Sequence, residues 1–298
     1  MERYLLAHSN HANWELALSD CLEQLGSHLE PATLGFVYFT DKHAGHSGDI
    51  LRKLKESTGI SDWVGTIGMA ICCTGTEYYE QPAIALLVTD LPKQHYKLFH
   101  DPGILPSNQA NSQTGTIKGV KVAIVHGDPR NGQLPGIIHE LPDKIGNGYL
   151  AGGLTSSDSF HYQFAGDLDE GALSGVILDE EIPIATGLTQ GCSPIGQKHT
   201  ITECDSNIVM QIDGRPALDV MKEEIGEVLA RDLNRIGGYI FAGFPIPGTD
   251  TGDYMVRNLV GVDINSGAIA IGEYLQNHKP IMFCKRDGTT ATQDLKQM

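Results

Sequence analysis

Residues 191–218 read GCSPIGQKHTITECDSNIVMQIDGRPAL, a single run that carries strand and helix grammar together. Its entry, Gly191-Cys192-Ser193-Pro194-Ile195-Gly196, bends the backbone and sets a thiol and a hydroxyl among exposed amides. Two short strand patterns follow, at 199–204 and 208–212, joined by the turn-forming Asp205-Ser206-Asn207. In Asp213-Gly214-Arg215-Pro216-Ala217-Leu218 the Asp-Gly pair favours a tight reversal, and Pro216 presets φ for a first helical turn. The spacing then predicts a helix over 217–232, with Leu218, Met221, Ile225, Val228 and Leu229 on its apolar face.

Downstream the pattern is β: a strand at 238–244, a polar glycine loop at 248–253, and a meander of 255–264, 268–274 and 280–285 with a hairpin turn at 263–267. Residues 287–298 begin as a loop and end as a short polar helix. Immediately upstream, 184–187 reads as one more strand.

Further upstream, strand and helix signals alternate, and they do so twice. A first strand (4–9) and a helix (12–25) precede the strand LGFVYFT at 34–40. A polar loop with His43 and His46 follows, then a helix from Ser47 to residue 58, and 63–73 with 82–90 as an antiparallel pair. A long loop, 92–119, separates this from VKVAIVH at 120–126, a proline-interrupted helix at 134–145, GYLAGGLT at 148–155 and ALSGVILD at 172–179. Each copy runs strand, helix, glycine-rich strand, strand, with Gly65 and Gly152 as counterparts. The reading is therefore an α/β or α+β fold with mixed, largely antiparallel sheets flanked by helices, an internal duplication in 1–181, and a second region over 182–298.

Composition narrows the function. A chain of 298 residues with 41% hydrophobic content has enough apolar material for a substantial core. With 21 Lys plus Arg against 37 Asp plus Glu, its formal charge of −16 repels nucleic acid and anionic membrane surfaces. The opening apolar run is broken at His8, too short for a secretory signal, and no stretch approaches a membrane span, so the expected address is the cytoplasm. Six scattered cysteines without a C-x-x-C pair fit reduced thiols better than a disulfide scaffold or a zinc site.

Gly152-Gly153-Leu154-Thr155-Ser156-Ser157-Asp158, the 191–196 and 213–218 elements and Arg286-Asp287 together resemble the FIST family, named for F-box and intracellular signal transduction proteins. The likeness spans roughly 34–294, the N-terminal FIST region and part of the C-terminal one. Family members continue past the Arg-Asp element, so the C-type region is expected to be shortened here. The resemblance implies a small-ligand sensory module that signals through a separate partner, such as a histidine kinase or cyclase.

The residue types suit an amino acid or similar zwitterionic metabolite. Backbone amides at Gly152, Gly153, Gly191 and Gly196 would approach an anion, with Ser156, Cys192 and Ser193 adding polar contacts. Arg215 and Arg286 would pair with a carboxylate and Asp158 or Asp213 with an amine. The plainer alternative is that these glycines and charges only shape turns. Two other functions compete. Cys192 lies seven residues before His199, the makings of a cysteine-dependent enzyme, although the run lacks a hydrolase, P-loop or zinc-protease motif. Some FIST proteins are haem-binding nitric-oxide sensors, for which His43, His46, His126, His139, His161 and His199 are the conceivable axial ligands.

Overall fold

The computed structural model describes residues 4–26, 29–100, 120–146, 148–187, 189–226, 236–245 and 254–297. The chain divides into two compact units, Met1–Ile184 and Ala185–Met298.

The first unit is built twice on one plan. A six-stranded sheet has the order β1(Tyr4–Ser9), β6(Ile84–Thr89), β2(Leu34–Thr40), β3(Asp62–Gly68), β10(Gln163–Ala165), β11(Asp167–Asp169). A four-stranded sheet has the order β7(Tyr96–His100), β12(Leu173–Asp179), β8(Val120–Gly127), β9(Tyr149–Leu154). In both, the first two pairings are antiparallel and the third, β2 with β3 or β8 with β9, is parallel. The parallel pairs are right for their crossovers, since each is bridged by a helix: α2(Ser47–Thr58) and α3(Leu134–Lys144). Gly65 and Gly152 occupy the same place in the two copies, opposite Val37 and Val125.

One core joins the sheets face to face, with Leu34, Phe36 and Val64 of the first against Val176 and Leu178 of the second. Each such side chain contributes about 1.5–3 kcal/mol on burial. The outer face of the six-stranded sheet is covered by α1(Trp14–Leu25) and α2, through Leu18, Cys21, Ile50 and Leu54. Leu134 and Leu141 of α3 cover the other outer face. The layers are thus helix, sheet, sheet, helix. Asn13 fixes the start of α1 by accepting from the Leu16 amide at 3.0 Å, and Gly59 ends α2 in the left-handed region.

The second unit is a closed barrel. Around it run β13(Cys192–Asp205), β19(Pro280–Arg286), β16(Ile240–Pro245), β17(Tyr254–Asp263), β18(Ala268–Ile271) and β14(Ile208–Ile212), and β14 pairs back onto β13. All six pairings are antiparallel, and closure leaves these strands without a free edge. Its interior holds Ile201, Val209, Phe244, Ile269 and Phe283, together with Ala217, Leu218 and Met221 of α4(Ala217–Ile225). The short β15(Arg215–Pro216) precedes α4, and α5(Gly288–Gln297) follows β19.

Several expectations are corrected. The segments 63–73 and 82–90 are not a pair: β2 lies between β3 and β6, and the hairpin is instead β4(Ala70–Cys73) with β5(Thr76–Tyr79). The loop with His43 and His46 is a 3-10 helix, Asp41–His46, and 92–100 contains β7. No strand forms at 184–187. The strand at 199–204 extends back to Cys192, because Pro194 accepts a place opposite Cys284 without needing to donate. Helix residues 227–232, the loop 101–119 and the glycine loop 248–253 lie outside the described residues.

Candidate functional site

In the first unit the carboxyl ends of both parallel pairs meet. This is where open α/β sheets place ligands, because strand ends supply unpaired backbone groups and the loops between them supply side chains. Gly152 enables the approach of β9 to β8: its φ is +147°, and a Cβ there would lie 1.9 Å from the Val125 carbonyl oxygen. Gly65 does the same for β3, with φ +156° and the Val37 oxygen at 1.8 Å. Gly153 differs, since nothing lies within 4 Å of where its Cβ would be, and the residue is exposed.

The loop after β9 turns into the first copy and is held there. The Thr155 amide donates to Gly127 O (2.8 Å), and the Thr155 and Thr66 hydroxyls share a hydrogen bond of 2.6 Å. The Ser156 amide donates to Ile67 O (3.2 Å), while its Oγ accepts from the Met69 amide (3.0 Å). The Asp158 amide donates to Asp41 Oδ2 at 3.3 Å, which brings two carboxylate residues together. Of the sequence-predicted residues, Gly153, Ser156 and Asp158 therefore share one rim, and Gly152 shapes the strand behind it.

Behind the rim, Tyr38 and His126 sit at equivalent positions of the two copies, each one residue beyond the valine opposite its glycine. Their side chains meet across the sheets: Tyr38 Oη lies 3.0 Å from His126 Nε2, with ring centroids 5.5 Å apart. Burial pushes the Tyr38 phenol up to about 12 and the His126 imidazole down to about 4, so both are neutral at ordinary pH. Asp128, just past the end of β8, is held below the usual carboxylate range by hydrogen bonds from the Arg130 guanidinium.

The second unit gathers the other motifs into two separate places. At one, Cys192 pairs in register with Arg286, whose guanidinium stacks over Phe241 with its carbon 4.6 Å from the ring centre. Ser193 Oγ donates to Asp287 Oδ2 (3.2 Å), and Asp287 also caps α5 by accepting from the Thr290 amide (2.8 Å). Gly191 has φ +60° and packs against Ala291 of α5. Cys192 itself is fully buried with Phe241, Met282 and Cys284. Burial pushes the Cys284 thiol up to about 12.

At the other place, His199 is clamped between carboxylates, Nδ1 to Asp213 Oδ2 at 2.7 Å and Nε2 to Glu224 Oε1 at 3.0 Å. Gly196 (φ +67°) makes room for Glu224, whose Oε2 would lie 1.1 Å from a Cβ at that position. Arg215 is engaged by both oxygens of Glu223 across the start of α4. The Asp-Gly turn is thus a brace between β13, β14 and α4. Cys192 and His199 face Arg286 and Ile281 on β19, five residues apart, which is about 16 Å along a strand. That spacing does not make a nucleophile–base dyad, which needs hydrogen-bond reach.

The histidines are equally specific in their surroundings. His199 has both ring nitrogens on carboxylates and cannot ligate haem without losing one of them. His126 spends Nε2 on Tyr38, His46 stacks on Trp14, and His139 is exposed on α3. Among the described residues, His43 Nε2 and His161 Nδ1 have no hydrogen-bond partner. Among the described residues, no three His, Cys, Asp or Glu side chains gather as metal ligands.

A family model for the FIST N domain matches residues 33–215, more than half of the chain. The chain belongs to the FIST family. The match takes in both copies of the first unit from β2 onward and runs into the barrel as far as Arg215. FIST domains are small-ligand-binding sensory domains of signal transduction. Among its relatives, the chain is 25% identical over 268 residues to the uncharacterized protein MT0656 of Mycobacterium tuberculosis, covering 85% of this chain and 68% of that one. It is 24% identical over 282 residues to the uncharacterized protein Mb0898c of Mycobacterium bovis, covering 90% and 71%. No helix among the described residues of this FIST protein is long and apolar enough to cross a membrane.

As site residues, sequence reasoning missed Tyr38, Thr66 and Thr155, and it met His126 only as one of six conceivable haem ligands. A signal was present. Laying Gly152 on Gly65 aligns Val125 with Val37 and therefore His126 with Tyr38, a polar residue at the same inward position of each copy.

Proposed function

We propose that this protein senses an amino acid or similar zwitterionic metabolite at the rim formed by the carboxyl ends of β2, β3, β8 and β9, and passes the signal to a separate partner protein. The carrying observation is the Thr155–Asp158 loop, which belongs to the second copy yet hydrogen-bonds to Thr66, Ile67, Met69 and Asp41 of the first. A ligand entering there touches both copies at once, so binding is coupled to their packing. The amine is assigned to Asp41 and Asp158, and the carboxylate to backbone amides beside the open Gly153. Arg215 and Arg286, in the second unit, are engaged within it, one by Glu223 and the other over the Phe241 ring, and are not assigned to this site. Six free cysteines support a reducing compartment such as the cytoplasm.

The test is a thermal-shift panel of amino acids and related metabolites on the wild type, Asp158→Ala and Arg215→Ala. A ligand at 100 times its Kd stabilises the native state by about 2.7 kcal/mol, a readable shift. The expected result is a hit that survives in Arg215→Ala and disappears in Asp158→Ala. The reverse pattern would move the site to the barrel.

A further inference from the structure

Between the two sheets of the first unit, two polar rows face each other. On the six-stranded sheet Tyr38, Thr66 and Gln163 stand side by side on β2, β3 and β10, by the pairings Tyr38 with Thr66 and Gln163 with Thr66. On the four-stranded sheet His126 of β8 stands directly opposite Ser174 of β12. Directly opposed residues of neighbouring strands project to the same face. The Tyr38–His126 hydrogen bond shows that these two faces look at one another.

The rows are nearly shut off from solvent, with Gln163 and Ser174 at 0% exposure and His126 at 3%. Yet among the described residues His126 Nδ1, Ser174 Oγ and Gln163 Oε1 have no hydrogen-bond partner. Native interiors leave few such groups, and three in one interlayer space call for a ligand to complete them. Their other polar atoms, and Thr66 beside them, already have partners: His126 Nε2 has Tyr38, Gln163 Nε2 has the Gly171 carbonyl (3.2 Å), and Thr66 has Thr155 and the Tyr162 carbonyl.

From this arrangement we infer that the His126–Ser174–Gln163 row reads the side chain of the bound amino acid and selects an uncharged group that both donates and accepts, a carboxamide above all. The inference rests on the sensory reading above and adds to it the class of ligand. A Gln163 carbonyl takes an N–H, and a Ser174 hydroxyl serves a C=O or an N–H. The imidazole, neutral when its Nε2 accepts from Tyr38, presents an N–H at Nδ1 to a C=O. A carboxylate would enter with no cation among these residues to neutralise it, and an aliphatic side chain would leave all three groups unpaired; both are rejected on that account. Thr66 stands beside Gln163 and is hydrogen-bonded to Thr155 of the rim loop, so in this proposal a ligand entering from the rim parts that hydrogen bond. Entry then strains the contact between the two copies, which supplies a signal.

The experiment is isothermal calorimetry of the full chain with L-glutamine, L-asparagine, L-glutamate and L-leucine, repeated on Ser174→Ala and Gln163→Met. The expected result is a carboxamide amino acid bound at least about 10-fold more tightly than glutamate or leucine, with the margin reduced several-fold in either variant. Glutamate or leucine binding as tightly as glutamine overturns the assignment of the row while leaving the sensory reading intact. So does a preference that both variants keep. Binding of none of the four, where the wider panel finds another zwitterionic ligand, also overturns only the row. Failure of the whole panel removes both.

Discussion

Replacing Gly152 by alanine puts the architectural and ligand-facing readings of the Gly-Gly pair in direct opposition. The new Cβ would sit 1.9 Å from the Val125 carbonyl oxygen, against a closest tolerable approach of 3.0 Å, so β8 and β9 must part by about 1.1 Å. Parting of that size breaks about two ladder hydrogen bonds, each worth about 1 kcal/mol net. The φ of +147° adds about 1–3 kcal/mol of backbone strain for a residue with a Cβ. Together these give a loss of about 3–5 kcal/mol, which in a unit of this size lowers the melting temperature by roughly 6–20 °C. Gly65→Ala meets the same obstacle, a carbonyl oxygen at 1.8 Å and φ +156°, and should cost as much. Gly153→Ala meets nothing within 4 Å and should stay within about 1 kcal/mol of the wild type. The assay is urea unfolding followed by tryptophan fluorescence, suited to the fully buried Trp63 of β3. If Gly152→Ala unfolds with the wild type, or Gly153→Ala loses as much as Gly152→Ala, the argument for glycine-enabled strand contact is wrong.

Three further outcomes are expected. His126 is held neutral by burial at a pKa of about 4 against 6.5 for the free side chain, so the unfolded chain takes up the proton first as pH falls; stability is full above about 6.5 and declines toward pH 4, by about 3 kcal/mol from this group. Comparing urea midpoints from pH 7.5 to 4.5 in wild type and His126→Gln should show the slope flattened in the variant, and equal slopes would contradict it. A thiol reagent should label the exposed Cys72 quickly and leave the buried Cys192 and Cys284 until the protein unfolds; loss of the fast phase in Cys192→Ser would revive the cysteine-enzyme reading. Gly196→Ala should drive Glu224 off His199 and loosen the base of α4, seen as a lower melting temperature that Glu224→Ala in the same chain partly restores, since the second change removes the colliding carboxylate.

The sequence by itself determined the main helices, most of the strands and the duplication. Apolar periodicity placed α1, α2 and α3 within a few residues, and the order strand, helix, glycine-rich strand, strand, written twice, is local information carried by adjacent residues. It even paired Gly65 with Gly152, because a position that admits no Cβ leaves its mark on composition. It also marked Gly153, Ser156 and Asp158, because glycine, hydroxyl and carboxylate residue types cluster in one short stretch. Which strands lie side by side was a tertiary decision: 63–73 and 82–90 both read as strands, yet β2 inserts between β3 and β6, since a parallel pair bridged by a helix is chosen by packing over long sequence separations. Closure of the barrel by β13 and β14, and the 16 Å of strand that separates Cys192 from His199, likewise follow from register, which no single segment encodes. The facing of Tyr38 and His126, 88 positions apart, exists only because two similar sheets bury the same face against each other, and hydrophobic burial, being non-directional, leaves to three-dimensional packing which polar residues that union will trap.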